Sequence, residues 1–226
     1  MFTRAAFLAG ARSSLPGFPG LLVFGMAFGA AAAQKGLSFA EALGLSTFVY
    51  AGAAQMVGLE VWQEVWTLGN ILTLMTVTAI INARFLLLGA TIHPWIRYEP
   101  LPRAAANLFL LTDASWIFSM RYRNEGGRDV GFLFGCGAAL WVPWVAASVA
   151  GFFAGAFIPE PKRFGLDLVM PILFSVMLVP MWKGVLPALP WLAAGLVSLL
   201  VHTFVPGYTF IIAGALAGVA TGMVMK

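Results

Sequence analysis

The sequence predicts an all-α, polytopic integral membrane bundle, a single transmembrane domain over residues 1–226 with about eight hydrophobic segments. Three observations carry that reading. Of the residues, 61% are hydrophobic and only 10% charged, and the mean hydropathy of +0.90 exceeds what a soluble domain of this size tolerates. The uncharged runs have the length of bilayer crossings: Ser13–Gln34 (22 residues), Ala42–Leu59 (18), Val65–Ala83 (19), Val130–Pro159 (30), Leu168–Trp182 (15) and Gly184–Met225 (42). The third observation is a guanidinium and a carboxylate, Arg84 and Asp113, each well inside an apolar segment.

Taken in order, segment one (about Leu15–Gln34) starts weakly, with Pro16, Gly17, Pro19 and Gly20 in its first turns. Gly25 and Gly29 give it a small-residue face that lets another helix approach. The preceding residues, with Arg4 and Arg12, read as a retained amphipathic lead-in rather than a cleaved leader. Ser38 followed three residues later by Glu41 has the pattern of a helix capping box and opens segment two. Deep in that segment lies Gln55, whose amide needs partners; interhelical hydrogen bonding and substrate contact are both open.

Segment three, Thr67–His93, is longer than the hydrocarbon is thick, so it tilts, breaks or projects. Asn82 and Arg84 stand two residues apart, hence about 200° apart on a regular helix. They share one site only if the helix unwinds between Ile81 and Arg84, which is tolerated at membrane depth where the backbone lines a cavity. The connector Pro94–Arg103 leads to segment four, Ala104–Met120, with Asp113 inside it. Arg84 and Asp113 both lie nine residues from the connector-side end of their segment, roughly 13 Å in from one membrane face. A charge at that depth is expected to face the protein interior and to serve function.

Segment five begins at Val130, contains Pro143, and carries a close-packing pair, Gly151 and Gly155. A loop at Ile158–Gly165 precedes segment six, which starts at Asp167, contains Pro171 and Pro180, and is bracketed by Lys183. Segment seven spans about Leu186–Val205, and segment eight, beyond a turn at Pro206–Gly207, presents Gly214, Gly218 and Gly222 on one face for packing. With eight crossings and the N-terminus inside, basic residues divide seven inside against five outside, a slight balance. A re-entrant segment two makes it six against six. A re-entrant segment one moves Arg121–Asp129 to the opposite face.

The chain carries no soluble-type catalytic signature, so the expectation is a protein that is not an enzyme, with no cofactor, no metal and no nucleic-acid partner. The single cysteine, Cys136, reads as a packing residue, and His93 and His202 as interfacial residues. Arg84 and Asp113 are open to two accounts. One is an ion pair joining two helices; the other is a site where a solute bridges or displaces the pair, or where Asp113 carries a proton. Opposite charges at one depth suit a zwitterion, with Gln55 and Asn82 adding polar contacts.

These residues resemble the AzlC family of branched-chain amino acid permeases over almost the whole chain. The resemblance rests on Phe24-Gly25 and Phe28-Gly29 and on Ser46 followed by Tyr50-Ala51-Gly52-Ala53-Ala54-Gln55. It continues through Asn82-Ala83-Arg84, Leu87-Leu88-Gly89-Ala90, Leu111-Thr112-Asp113, Trp144 before Gly151, and Gly165-Leu166-Asp167. The chain departs from the family pattern at Phe85, where a histidine or tyrosine is common, and at Ala114, where an acid commonly follows the aspartate. The resemblance implies a multi-pass bacterial inner-membrane exporter of branched-chain amino acids that works with a small AzlD-type membrane subunit. Proton coupling through Asp113 is the expected drive. A channel or exporter for another metabolite, and a non-transporting membrane subunit, are the alternatives.

Overall fold

The computed structural model describes residues 2–63, 66–156, 175, 179, 182, 184–205 and 209–225. The expected loop at Ile158–Gly165, nearly all of segment six with Asp167, Pro171, Pro180 and Lys183, and the turn at Pro206–Gly207 lie outside them. Every element among the described residues is helical.

Segment one is longer than expected. α1 (Arg4–Ser13) and α2 (Phe18–Gln34) are joined through a single 3-10 turn at Leu15–Gly17, where Pro16 and Gly17 interrupt the regular pattern, and together they form one 31-residue rod. The amphipathic lead-in is therefore the first third of the span. This rod runs parallel to α9 (Val130–Ala156), which stays helical through Pro143. Contacts advance together along both: Gly10 meets Phe132 and Cys136, Gly17 meets Leu140, Gly25 meets Ala147, and Gly155 meets Ala30. A methyl group at Gly29 would overlap the Ser148 carbonyl, and one at Gly151 the Met26 carbonyl, so backbone meets backbone here and dispersion replaces side-chain interlock. At the common starting end, the Asp129 carboxylate accepts from the Thr3 amide (3.1 Å) and hydroxyl (2.7 Å). Parallel packing fixes the N-terminus and the Arg121–Asp129 loop at one end, which rules out a re-entrant segment one. Cys136 is buried, its thiol donating to the Gly10 carbonyl, as befits a packing residue.

Segment two does not cross. It opens at the far end with the expected capping box: the Ser38 hydroxyl accepts from the Glu41 amide, and the Glu41 carboxylate accepts from the Ser38 amide at 2.7 Å. The hydrogen bonds from Ser38, side chain first and then backbone, hold the Glu41 carboxyl below its ordinary value. α3 (Phe39–Gly44) and a π-helical turn (Leu45–Val49) then run back along α9, Phe39 against Phe152 and Phe153, Thr47 accepting from the Trp141 indole. At Tyr50 the backbone enters the left-handed region (φ 45°), and α4 (Gly52–Val61) returns toward its starting end. Gly52 lies level with Phe24 and Trp144, while Glu60 reaches Lys35 at 3.6 Å. The segment is a hairpin that enters and leaves at one end.

Segment three crosses in two pieces. α5 (Leu68–Asn82), capped by Thr67, descends beside α4, and α6 (Arg84–Ile96) continues at a 45° bend. The break falls at Ala83, between Asn82 and Arg84, within the Ile81–Arg84 stretch that must unwind for those two residues to share one site. α6 runs through Pro94 to end beside α9, the Trp95 indole donating to the Arg128 carbonyl. The connector is thereby reduced to Arg97–Pro100.

Segment four is a second hairpin, entering from the opposite end to the first. α7 (Leu101–Phe109) starts where Arg103 lies over the Phe2 ring and ends with Leu110 against Gly137. α8 (Asp113–Asn124) then turns back, Phe118 level with Gly17 and Leu140, Tyr122 stacked on Phe132. The expected single helix Ala104–Met120 is broken at Leu110–Thr112, because Thr112 and Ser115 form a capping box inside the apolar run. Eight straight crossings are therefore not what these segments make: two of the first five turn back halfway.

α10 (Val185–Phe204) and α11 (Thr209–Val224) form an antiparallel pair. Gly214 meets Ser198 and Ala194, and Gly218 meets Ala194 and Pro190. The glycine face of segment eight is thus consumed inside the chain, like those of segments one and five. These faces give no surface to a partner. Three helices among the described residues, Arg4–Gln34, Val130–Gly155 and Val185–Phe204, are long and apolar enough to cross a membrane, and the bent α5–α6 pair makes a fourth.

Candidate functional site

The two hairpin tips and the break in the crossing helix meet in the middle of the bundle. Three contacts triangulate them. The Tyr50 ring at the first tip lies 6.4 Å from that of Phe109 at the second. Gln55, one turn past the first tip, and Asn82, at the end of α5, line one cavity. Arg84, the first residue of α6, and Asp113, the first of α8, form an ion pair with Nη2 and Oδ2 3.1 Å apart.

The cavity holds about 400 Å³, within the range of small-molecule sites. Leu45, Val49, Leu74, Met75 and Trp62 give it apolar walls, and its polar groups are Thr78, Asn82 and Gln55. Gln55 is 3% exposed, and neither its carbonyl nor its amino group finds a partner among the described residues. The interhelical hydrogen bond considered for it is not made among these residues. Such a buried amide costs about 1–3 kcal/mol, a reason to look for what completes it. Asn82 Oδ1 is also without a partner among the described residues.

Arg84 and Asp113 sit at one level, as their equal distances from the connector anticipate, but they do not line this cavity. The four sequence-predicted residues thus fall into two neighbouring pairs. The ion pair is also more open than expected, the side chains being 38% and 42% exposed, because each belongs to the first turn of a half-helix rather than the middle of a packed one. Electrostatics at the two positions differ. A carboxylate suits the N-terminal end of α8, whereas a guanidinium at the N-terminal end of α6 opposes the helix dipole. Asp113 offsets that cost, and Arg84 Nε has no partner among the described residues.

Sequence reasoning missed three further polar groups near the first tip. Ser46 Oγ, Tyr50 Oη and Trp144 Nε1 are buried with no partner among the described residues. Tyr50 is an unusual residue for a left-handed turn, a strained conformation that clusters at functional sites. π-helical turns have the same association.

A model of the family described as AzlC protein matches residues 16–158, which contain both hairpins, the break and all four site residues. The chain belongs to the AzlC family. A Bacillus subtilis relative described as branched-chain amino acid transport protein AzlC is 28% identical over 220 residues, covering 94% of this chain and 82% of that one. An Archaeoglobus fulgidus membrane protein is 27% identical over 218 residues, covering 95% and 93%. One from Helicobacter pylori is 27% identical over 169 residues, covering 74% and 71%. No solved structure matches the chain. For this AzlC-family chain, the matched region runs over α2 through α9, and the cavity and ion pair both fall within it.

Proposed function

We propose that this chain is a secondary transporter exporting branched-chain, neutral apolar amino acids across the bacterial inner membrane, driven by the proton gradient. The observation that carries the reading is an apolar cavity with unpartnered amides at the meeting point of three helix breaks, beside a polarised ion pair. Broken helices at the level of a binding site are the common device of secondary transporters. Gln55 and Asn82 contact the substrate. Arg84 and Asp113 hold paired opposite charges beside that cavity, and Asp113 takes the proton. Protonation of Asp113 frees Arg84 and so loosens the tie between α6 and α8 beside the cavity.

The orientation follows from the basic residues. Arg4, Arg97, Arg103, Arg121, Arg123 and Arg128 gather at the end where α1 and α9 begin, with Arg12 further in along α1, while Lys35 lies at the other end. The positive-inside rule makes the arginine-rich end cytoplasmic. Segments one, three, five and seven then cross, and segments two and four are opposed hairpins. A small AzlD-type membrane subunit completes the transporter; the family resemblance supports it, and the internal use of the glycine faces directs its docking elsewhere.

Counterflow in proteoliposomes, with and without the co-expressed subunit, tests the reading. Exchange is expected to saturate and to be competed by leucine, isoleucine and valine but not by acidic or basic amino acids. Asp113→Asn is expected to keep exchange and lose gradient-driven accumulation. Flux that rises linearly with concentration, or that ignores these competitors, would overturn it.

A further inference from the structure

We propose that the substrate's carboxylate is seated by the bare N-terminus of α4 together with the Gln55 amide, and its ammonium by the C-terminal end of α5 with Asn82. This rests on the transport reading and refines it. The residue pattern alone points to Arg84 for the carboxylate, but Arg84 is already engaged by Asp113.

α4 begins deep in the fold, with Ala51 and Ala54 6% and 2% exposed. The first amides of any helix lack intrahelical acceptors, and a buried end without partners needs explaining. α1, α3, α5 and α8 each solve this with a capping hydroxyl, from Thr3, Ser38, Thr67 and Thr112. α4 has Ala51 at that position and no cap, and the amides of Gly52, Ala53 and Ala54 find no acceptor among the described residues. Three unsatisfied donors at the positive end of a helix make an anion site.

The second observation is independent of the first. Gln55 stands in the same turn, nine-tenths buried and more, with both polar atoms unpartnered. A side chain in a helix leans back toward its N-terminus, so Gln55 projects over the bare amides. The cavity wall contains residues from both sides of this break, Leu45 and Val49 before it, Ala54 and Gln55 after it. Opposite them, Thr78, Ala79 and Asn82 line the last turn of α5, whose carbonyls form a negative end. Among the described residues, no ionisable side chain lines the cavity. A zwitterion with a hydrocarbon side chain fits these walls: its charges face opposite helix ends and its side chain the apolar surface of Leu74, Met75 and Trp62.

The test is competition against labelled leucine on the purified full chain in nanodiscs. Leucinol keeps the ammonium and replaces the carboxylate with a hydroxymethyl group; it should bind about tenfold more weakly or worse, the scale of a hydrogen bond to a charged group. Ala51→Ser supplies the missing cap and should lower leucine affinity by a similar factor while the melting temperature holds or rises. Should that variant fail to fold, Gln55→Met removes the amide at nearly constant volume and should show the same loss. Leucinol binding as tightly as leucine, or full affinity in both variants, would overturn the seat while leaving the transport reading intact. Absence of leucine binding to the unaltered chain, with and without the co-expressed subunit, would overturn both.

Discussion

The two hairpins share an architecture and differ in how their tips are satisfied. The second, α7–α8, completes itself: Thr112 and Ser115 cap the returning helix, Asp113 supplies an anion at its positive end, and Arg84 answers the anion. In the first, α3–α4, the returning helix has no cap, Tyr50 is held left-handed, and the polar atoms of Ser46, Tyr50 and Gln55 lack partners among the described residues. Elements entering from opposite ends thus reach the same depth, one electrostatically closed and the other open. The open tip borders the cavity, and the closed tip holds the charge pair. On the proposed function, this difference separates substrate seating from charge exchange, two tasks that a transporter must couple without merging.

The largest expected effect comes from opening the closed tip. Arg84→Gln strands Asp113 in an apolar setting, at a cost of about 2.5–3.5 kcal/mol, and should lower the melting temperature. The double variant Arg84→Gln with Asp113→Asn removes both charges and should recover most of that loss. Its transport should stay at the level of empty vesicles. A double variant that transports at the unaltered rate would reduce the pair to a helix tie and erase the contrast between the tips.

A smaller pair of changes compares the tips directly. Thr112→Ala removes a cap from the closed tip and should cost about 1 kcal/mol. Tyr50→Phe deletes an unpartnered hydroxyl from the open tip, so the melting temperature should hold or rise while transport falls. Calorimetry alongside counterflow reads both, and a Tyr50→Phe chain that is destabilised would mean the hydroxyl is already satisfied.

Smallest is Ser38→Ala at the outer start of the first hairpin. Hydrogen bonding lowers the Glu41 carboxyl, so the stability it lends is complete above the ordinary carboxylate range. It is lost as the pH falls through the lowered folded value. Unaltered chain and variant should therefore differ near neutral pH and converge on strong acidification; a gap that widens in acid would contradict the assignment.

Much of this was legible in the sequence. A tilt, break or projection of segment three follows from its length, and the two polar residues two apart mark Ile81–Arg84 as the place where a break would serve a site. The Ser38–Glu41 box and the glycine faces follow from spacing alone. The hairpins were not decided by the sequence, where segment two stayed open between crossing and re-entry and segment four read as one helix, because two half-helices of an apolar run have the composition of one crossing. The left-handed tip carries Tyr50, where a glycine would have marked the turn. One signal was available: Thr112 and Ser115 form a helix-start pattern in the middle of segment four. The charge balance misled for the same reason, since a hairpin read as a crossing moves Arg97 and Arg103 to the wrong face.

Opposed hairpins are the central claim, and side-specific labelling tests them most directly. Single cysteines at Lys35, Gln63, Tyr98 and Asn124, in a Cys136→Ala background, would be exposed in intact cells to an impermeant thiol reagent. Lys35 and Gln63, which flank the first hairpin, should label together from outside. Tyr98 and Asn124, which flank the second, should both label only after the membrane is opened. Labelling that separates either pair to opposite faces would show that segment to cross the membrane, and the meeting of two tips at one site would be lost.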